Sequence, residues 1–172
     1  MSACRFGMIG LLVLSLWGCG YHPVGTASRL DHQTQPSLAV PLFANRTTEV
    51  GLETVFANAM INSFAQTSAV RVVPGDRDAD LVLEGKVRSI DNTSIAFQDV
   101  QHSTVRRVTM RVELTLRQKK GDKVLWKDTQ VLQEDYVVDP NYHAGEATKS
   151  EGIRRAAVNL ARRVVDKVLL VI

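Results

Sequence analysis

The chain has 172 residues, of which 45% are hydrophobic, 23% charged and 6% aromatic, and its formal net charge is +3. That is enough chain for one domain with its own core, and the composition is that of an ordinary globular protein. The mild charge excess is uneven: from Val105 onward there are fourteen Lys or Arg against nine acids. An imbalance this small does not call for nucleic acid, and anionic lipid or glycolipid suits it better.

At the N-terminus one positive charge, Arg5, precedes an apolar run from Phe6 to Ser15, and Leu16, Trp17 and Gly18 lead into Cys19. The run is too short to cross a bilayer, which takes about 20 apolar residues, so residues 1–18 read as an export signal. The Gly18-Cys19 ending resembles the lipobox of bacterial lipoproteins. That resemblance implies that Cys19 becomes the new N-terminus, carrying covalent diacylglycerol and a fatty acyl group. The plainer alternative is an ordinary export signal that happens to contain a cysteine. Several acyl chains would hold the protein stably on a membrane, at about 0.8 kcal/mol per buried methylene. Gly20, where enterobacterial lipoproteins retained at the inner membrane carry Asp, points to the outer membrane. The only other cysteine is Cys4, inside the removed segment, so no disulfide is expected in the mature chain.

Residues 19–36 lack periodicity and read as an acylated tether, leaving residues 37–172 as a single domain. Residues 37–43 look like a strand in which Pro41 must sit at an edge or at an unpaired position. Asn45, Arg46, Thr47 and Thr48 supply turn and cap chemistry ahead of a helix. There Leu52, Val55, Phe56, Ala59, Met60 and Phe64 recur at helical spacing. Residues 70–73 form a short strand and 80–98 a long one. Val108, Met110, Val112, Leu114 and Leu116 alternate with Thr109, Arg111, Glu113, Thr115 and Arg117, the period of a strand with one wet face. A tight turn at 119–123 leads into a strand over 124–137, whose alternation breaks near Asp128 and suggests a bulge there. After a loop at 139–147, an amphipathic helix spans about 148–170, with Ile153, Ala156, Ala157, Leu160, Ala161, Val164 and Val168 on one face. Its alanines favour packing on a sheet over lying on a membrane.

The order strand, helix, strand, strand, strand, helix predicts an α+β fold: a mostly antiparallel sheet with two helices packed on one face. In such a sheet the 99–103 turn and the 139–147 loop share one end, and the 119–123 turn lies at the other.

Catalytic chemistry is not evident. His22, His32, His102 and His143 have no metal-ligand spacing, and there is no nucleophile elbow, phosphate-binding glycine loop or pair of carboxylates in an apolar setting. No enzyme activity, cofactor or metal is expected. The basic residues fall into three groups: Arg106 and Arg107 with His102; Lys119, Lys120 and Lys123; and Arg154, Arg155, Arg162 and Arg163. Each is a solvated face or a phosphate-binding edge, since guanidinium groups clamp phosphate oxygens in bidentate fashion.

The run Gly18-Cys19-Gly20-Tyr21-His22 resembles the start common in the LptE family of lipopolysaccharide-assembly lipoproteins. Val40, Pro41, Phe43, Asn45 and Thr47, followed by Gly51 and Glu53, resemble the opening of its non-enterobacterial members. Residues 80–87, Val124-Leu125-Trp126 and the arginine-rich last helix fit as well. The resemblance implies an α+β sandwich and a non-enzymatic outer-membrane lipoprotein. Such a protein partners and plugs the LptD β-barrel, aids its assembly and binds lipopolysaccharide on its way to the cell surface. It does not say which basic residues meet the glycolipid; by geometry these are expected to be Arg106, Arg107 and Lys149 at the two-loop end. The alternatives are a lipoprotein activator of a peptidoglycan synthase or of a secretion channel and a periplasm-facing enzyme, which would require a carboxylate cleft or a metal that the sequence does not show.

Overall fold

The computed structural model describes residues 35–97, 103–139 and 141–172. The expectations for the export signal, Cys19, the tether up to residue 34 and the turn residues 99–102, His102 among them, lie outside these.

Six strands, β1 (Ser37–Ala39), β2 (Ala44–Asn45), β3 (Arg71–Val73), β4 (Leu81–Phe97), β5 (Ser103–Gln118) and β6 (Lys123–Val137), are joined by helices α1 (Leu52–Ala65) and α2 (Tyr142–Leu169). The fold is α+β, as expected, but the sheet is mixed. In the order β3-β1-β4-β5-β6, β1 runs parallel to both β3 and β4, and the two-residue β2 is also parallel to β4. Only β4, β5 and β6 form an antiparallel meander. The reason is α1: a crossover helix between β1 and β3 returns the chain in the same direction, which hairpin turns cannot do. Pro41 lies between β1 and β2, outside both ladders, so β1 can occupy an interior position.

Both helices cover one face. The buried stripes Leu52, Phe56, Met60 and Phe64 of α1 and Ile153, Ala157, Leu160, Val164 and Val168 of α2 meet Leu83 and Val87 of β4 and Val108 through Leu116 of β5 in one core. Leu38 of β1 joins them. A smaller cluster of Ala39, Ala79 and Val82 lies apart.

Two element boundaries differ from expectation. Asn45 and Thr47 do not cap α1. The Asn45 Oδ1 accepts from the Thr47 N–H at 3.0 Å and its Nδ2 donates to the Glu49 carbonyl at 2.7 Å, closing a turn on itself. The helix starts at Gly51, whose φ of 90° no side chain tolerates easily. The last helix begins six residues before 148: Asn141 accepts from the N–H groups of His143 and Ala144, a side-chain cap inside what reads as loop. In β6 the extra residue is Leu125, at the shift opposite Leu116 and Arg117, not Asp128. Another bulge places Arg88 between Val87 and Ser89 of β4.

The strand β1 is fastened at its start. Ser37, 2% exposed, donates from its N–H and its hydroxyl to Asp80 Oδ2 at 2.8 and 2.6 Å, and the Asp80 N–H returns a bond to Ser37 Oγ at 2.9 Å. These bonds hold the Asp80 carboxyl below its ordinary range. Replacing Asp80 by Ala strands a buried donor at Ser37 and is expected to cost about 1–3 kcal/mol in denaturant unfolding at pH 7. The carboxyl's folded pKa is depressed, so its contribution is complete above the ordinary value of 3.8 and fades as pH falls through the folded value. The stability gap between the native chain and Asp80→Ala should therefore close in acid; a gap that persists there would contradict the carboxylate's role. At Gly85 an added Cβ would lie 2.1 Å from the Phe43 ring, which is itself buried. Gly85→Ala is expected to lower stability by about 1–3 kcal/mol, read as a shifted denaturation midpoint. Gly75→Ala, where nothing lies within 4 Å, should leave that midpoint in place.

Candidate functional site

The residues expected to bind glycolipid lie towards the end of the meander where β6 leads into α2. Strand geometry divides them. Successive side chains of β5 point to opposite faces, so Arg106 shares the helix-side face with Val108 and Met110 while Arg107 lies on the open face with Thr109 and Arg111. Arg107 is engaged: its Nε and Nη2 donate to the two carboxylate oxygens of Asp135 on β6 at 2.7 and 2.9 Å. That pair raises the Arg107 pKa and lowers that of Asp135. Lys149, in the first half of α2, donates to Glu49 at 2.7 Å and approaches Glu146 at 3.5 Å, with its side chain only 13% exposed. Burial pushes its pKa down, but the Glu49 bond and the two carboxylates outweigh burial and hold it above its ordinary value. Of the three, Arg106 alone is exposed and, among the described residues, has no carboxylate holding it.

Apolar groups stand beside it, and no periodicity argument singled them out. Ile95 and Phe97 near the end of β4 are exposed, as are Val137 at the end of β6 and Tyr142 at the start of α2. Arg106 faces Ser94 across the β4–β5 ladder, so a cation and an exposed apolar fringe occupy the same end of the sheet. That pairing suits an amphiphile with an anionic head. The signal was present in the sequence as a Phe and an Ile beyond the last core-facing position of the strand.

In the other basic groups Lys119, Arg154 and Arg155 are spent on structure. At the opposite end Lys119 donates to the Asp76 carbonyl, and Arg117 pairs with Asp122 at 2.8 Å. On α2, Arg154 pairs with Glu151 at 3.2 Å and Arg155 with Glu134 at 2.9 Å. The open sheet face carries cross-strand pairs that the sequence did not reveal. Arg88 meets Glu113 at 2.8 Å, beside Lys86 and Lys127 along a groove of about 380 Å3. The Arg88 bond lowers the Glu113 pKa, helped by the Lys86 and Lys127 charges. Among the described residues no group of three His, Cys, Asp or Glu could hold a metal ion, and no helix is long and apolar enough to cross a membrane.

The residues behind the family resemblance prove architectural. Phe43 packs on Gly85 and stacks with Phe56, ring centroids 6.1 Å apart. Asn45 Nδ2 donates to Glu53 Oε2 at 3.0 Å, across the left-handed Gly51. The sequence matches the family model described as "LptE: Lipopolysaccharide-assembly" over residues 36–169. This chain belongs to the LptE family. Among solved structures it is similar to rare lipoprotein B from Shewanella oneidensis, 13% identical with a TM-score of 0.51 over 77% of this chain and 93% of that one. It is also similar to the hypothetical protein CT253 from Chlamydia trachomatis, 12% identical with a TM-score of 0.56 over 78% and 95% of the two chains. A third is the PelC dodecamer from Paraburkholderia phytofirmans, at 16% identity and TM-score 0.52 over 76% and 86%. At these identities the likeness is one of fold. Among curated proteins no sequence matches. Membership makes the chain a lipopolysaccharide-assembly protein of the bacterial envelope, in a family that is not enzymatic.

The ion pairs assign Lys149 a structural role. Lys149→Ala leaves Glu49 and Glu146 without their cation and should lower the thermal midpoint by several degrees, about 1–2 kcal/mol. Arg106→Ala should leave the midpoint unchanged.

Proposed function

We propose that this chain acts as an outer-membrane lipoprotein, anchored through acylated Cys19, that partners and plugs an LptD-like β-barrel. In that place it aids the barrel's assembly and binds lipopolysaccharide on its way to the surface. The observation that carries the reading is the family match, which spans the domain from just before β1 to the end of α2. Physical features support it. The meander's open face is polar and charged, bearing Arg88, Arg107, Arg111, Glu113 and Lys127, and it suits the polar lumen of a large barrel better than a lipid surface. At the hairpin end, Arg106 beside Phe97 and Ile95 can meet a phosphate and acyl chains together, whereas Arg107 and Lys149 support that end through Asp135 and Glu49.

The test starts from gently solubilised outer membranes of the native host. The purified lipoprotein is expected to carry diacylglycerol and a fatty acyl group at Cys19 by intact mass, and to bring a large β-barrel with it in near-equal amount. A peptidoglycan synthase or secretion channel in place of the barrel would overturn the reading and favour an activator. With the purified protein, Arg106→Ala is expected to weaken lipopolysaccharide affinity about tenfold, the worth of a charge-assisted hydrogen bond. Unchanged affinity would remove the hairpin end as the glycolipid site.

A further inference from the structure

The outward faces of the two helices differ in kind. On α1, Thr54, Asn58, Asn62 and Gln66 are exposed and uncharged. The last three recur every four residues, so one stripe of that helix presents carboxamides. On α2, the outward Arg154, Arg155, Arg162, Arg163 and Lys167 outnumber Glu151 and Asp166. Between the helices runs an open groove of about 630 Å3, with Ala59 and Val165 among its apolar lining and Asn62, Ser63, Gln66, Arg162 and one acid, Asp166, among its polar lining. Val158 and Arg162 also line a second depression of about 430 Å3 that continues to Arg154 and Arg155. Arg154 and Arg162 are two turns apart, about 12 Å along the helix axis. Arg154 and Arg155 hold carboxylates, but among the described residues no carboxylate lies within ion-pairing distance of Arg162.

We propose that this groove binds an anionic oligosaccharide, with Arg162 taking a phosphate or carboxylate and Asn62 and Gln66 taking sugar hydroxyls. The chemistry selects that occupant. A carboxamide both donates and accepts, which matches a hydroxyl, and two on one stripe address hydroxyls in series. A free guanidinium takes an oxyanion through two parallel bonds. The small apolar residues Ala59 and Val165 accommodate the C–H face of a sugar ring. An amphipathic helix of a protein partner would ask for a longer run of apolar anchors than these. The inference rests on the proposed function, because lipopolysaccharide is the acidic glycan that reading supplies, but it adds a second contact, to the sugar, remote in sequence from Arg106.

The test uses the full acylated protein in neutral detergent micelles. It is titrated with lipopolysaccharide oligosaccharide stripped of its acyl chains, with the same oligosaccharide after enzymatic dephosphorylation, and with inorganic phosphate. The readouts are calorimetry and the NMR signals of the side-chain amides. The Asn62 and Gln66 amide signals are expected to shift on adding the phosphorylated oligosaccharide. Arg162→Gln should weaken binding about tenfold, and dephosphorylation should do the same to the native protein. Arg163→Gln removes the neighbouring charge on the β6 side of α2, where Arg163 lines a hollow with Trp126, and should change affinity by less than about twofold. Unshifted Asn62 and Gln66 signals would overturn the proposal, as would equal losses from the two variants, since diffuse attraction alone would then suffice. Inorganic phosphate binding as well as the oligosaccharide would overturn the sugar's part. Loss of intact lipopolysaccharide binding in Arg106→Ala, with the groove signals unmoved by the stripped oligosaccharide, would sink the groove and leave the hairpin-end site standing. The reverse pattern would sink the hairpin-end site and leave the groove.

Discussion

The contact between the Phe43 ring and the backbone of Gly85 joins parts of the chain that share no hydrogen-bond ladder long enough to hold them. Phe43 belongs to the irregular stretch between β1 and β2, Gly85 to β4, the longest strand, and Phe56, on which the ring stacks, to α1. With no side chain at residue 85, the ring can sit flat against β4 and fill the corner where helix, loop and sheet meet. The two-residue β2 and the turn built by Asn45 follow directly behind it, and the entry into α1 is set by that turn and by Gly51. The position and tilt of α1 over the sheet, and with them the spacing of the two helices, depend on this corner.

Much of the architecture was legible in the residues. The period of two over 108–117 and the stripe from Ile153 to Val168 each named the buried face, because each element is wet on the other side and burial follows hydrophobicity directly. The parallel pairings were not legible. Three residues of β1 and three of β3 carry too few side chains to declare a direction, and the direction comes from the crossover of α1. The cap at Asn141 was hidden by the preceding Pro140 and by Gly145, which together look like a loop. The bulge near the start of β6 was sensed in the broken alternation but misplaced by three residues, because Asp128 on the helix-side face reads as an error of phase when the extra residue is Leu125.

The basic residues show where spacing in sequence misleads about spacing in charge. Arg106 and Arg107 are neighbours in the chain and lie on opposite faces of the sheet. Arg107 is matched to Asp135 on the adjacent strand, and Lys149 to Glu49 from a loop a hundred residues away, so their charges are largely neutralised where they stand. A net excess of cations therefore overstates the attraction of any one surface for an anion. Among the described residues, the cations that no carboxylate pairs include Arg106 at one end and Arg162 over the helices. Neither could be told from its paired neighbours without the cross-strand register and the helix packing.

The first strand in sequence occupies an inner place in the sheet, flanked on both sides by parallel partners that come later in the chain. Hairpin pairing of β4, β5 and β6 needs only local turns and can precede it, whereas β1 must wait for β3 and β4 to arrive from more than thirty residues away. If the chain is exported as the proposed function requires, β1 emerges before its partners and is among the last strands to find its seat, and until then the β4 edge stays open to foreign strands. An exported chain built this way has a folding order that runs against its order of delivery, and the interval between the two is when a periplasmic chaperone would matter most.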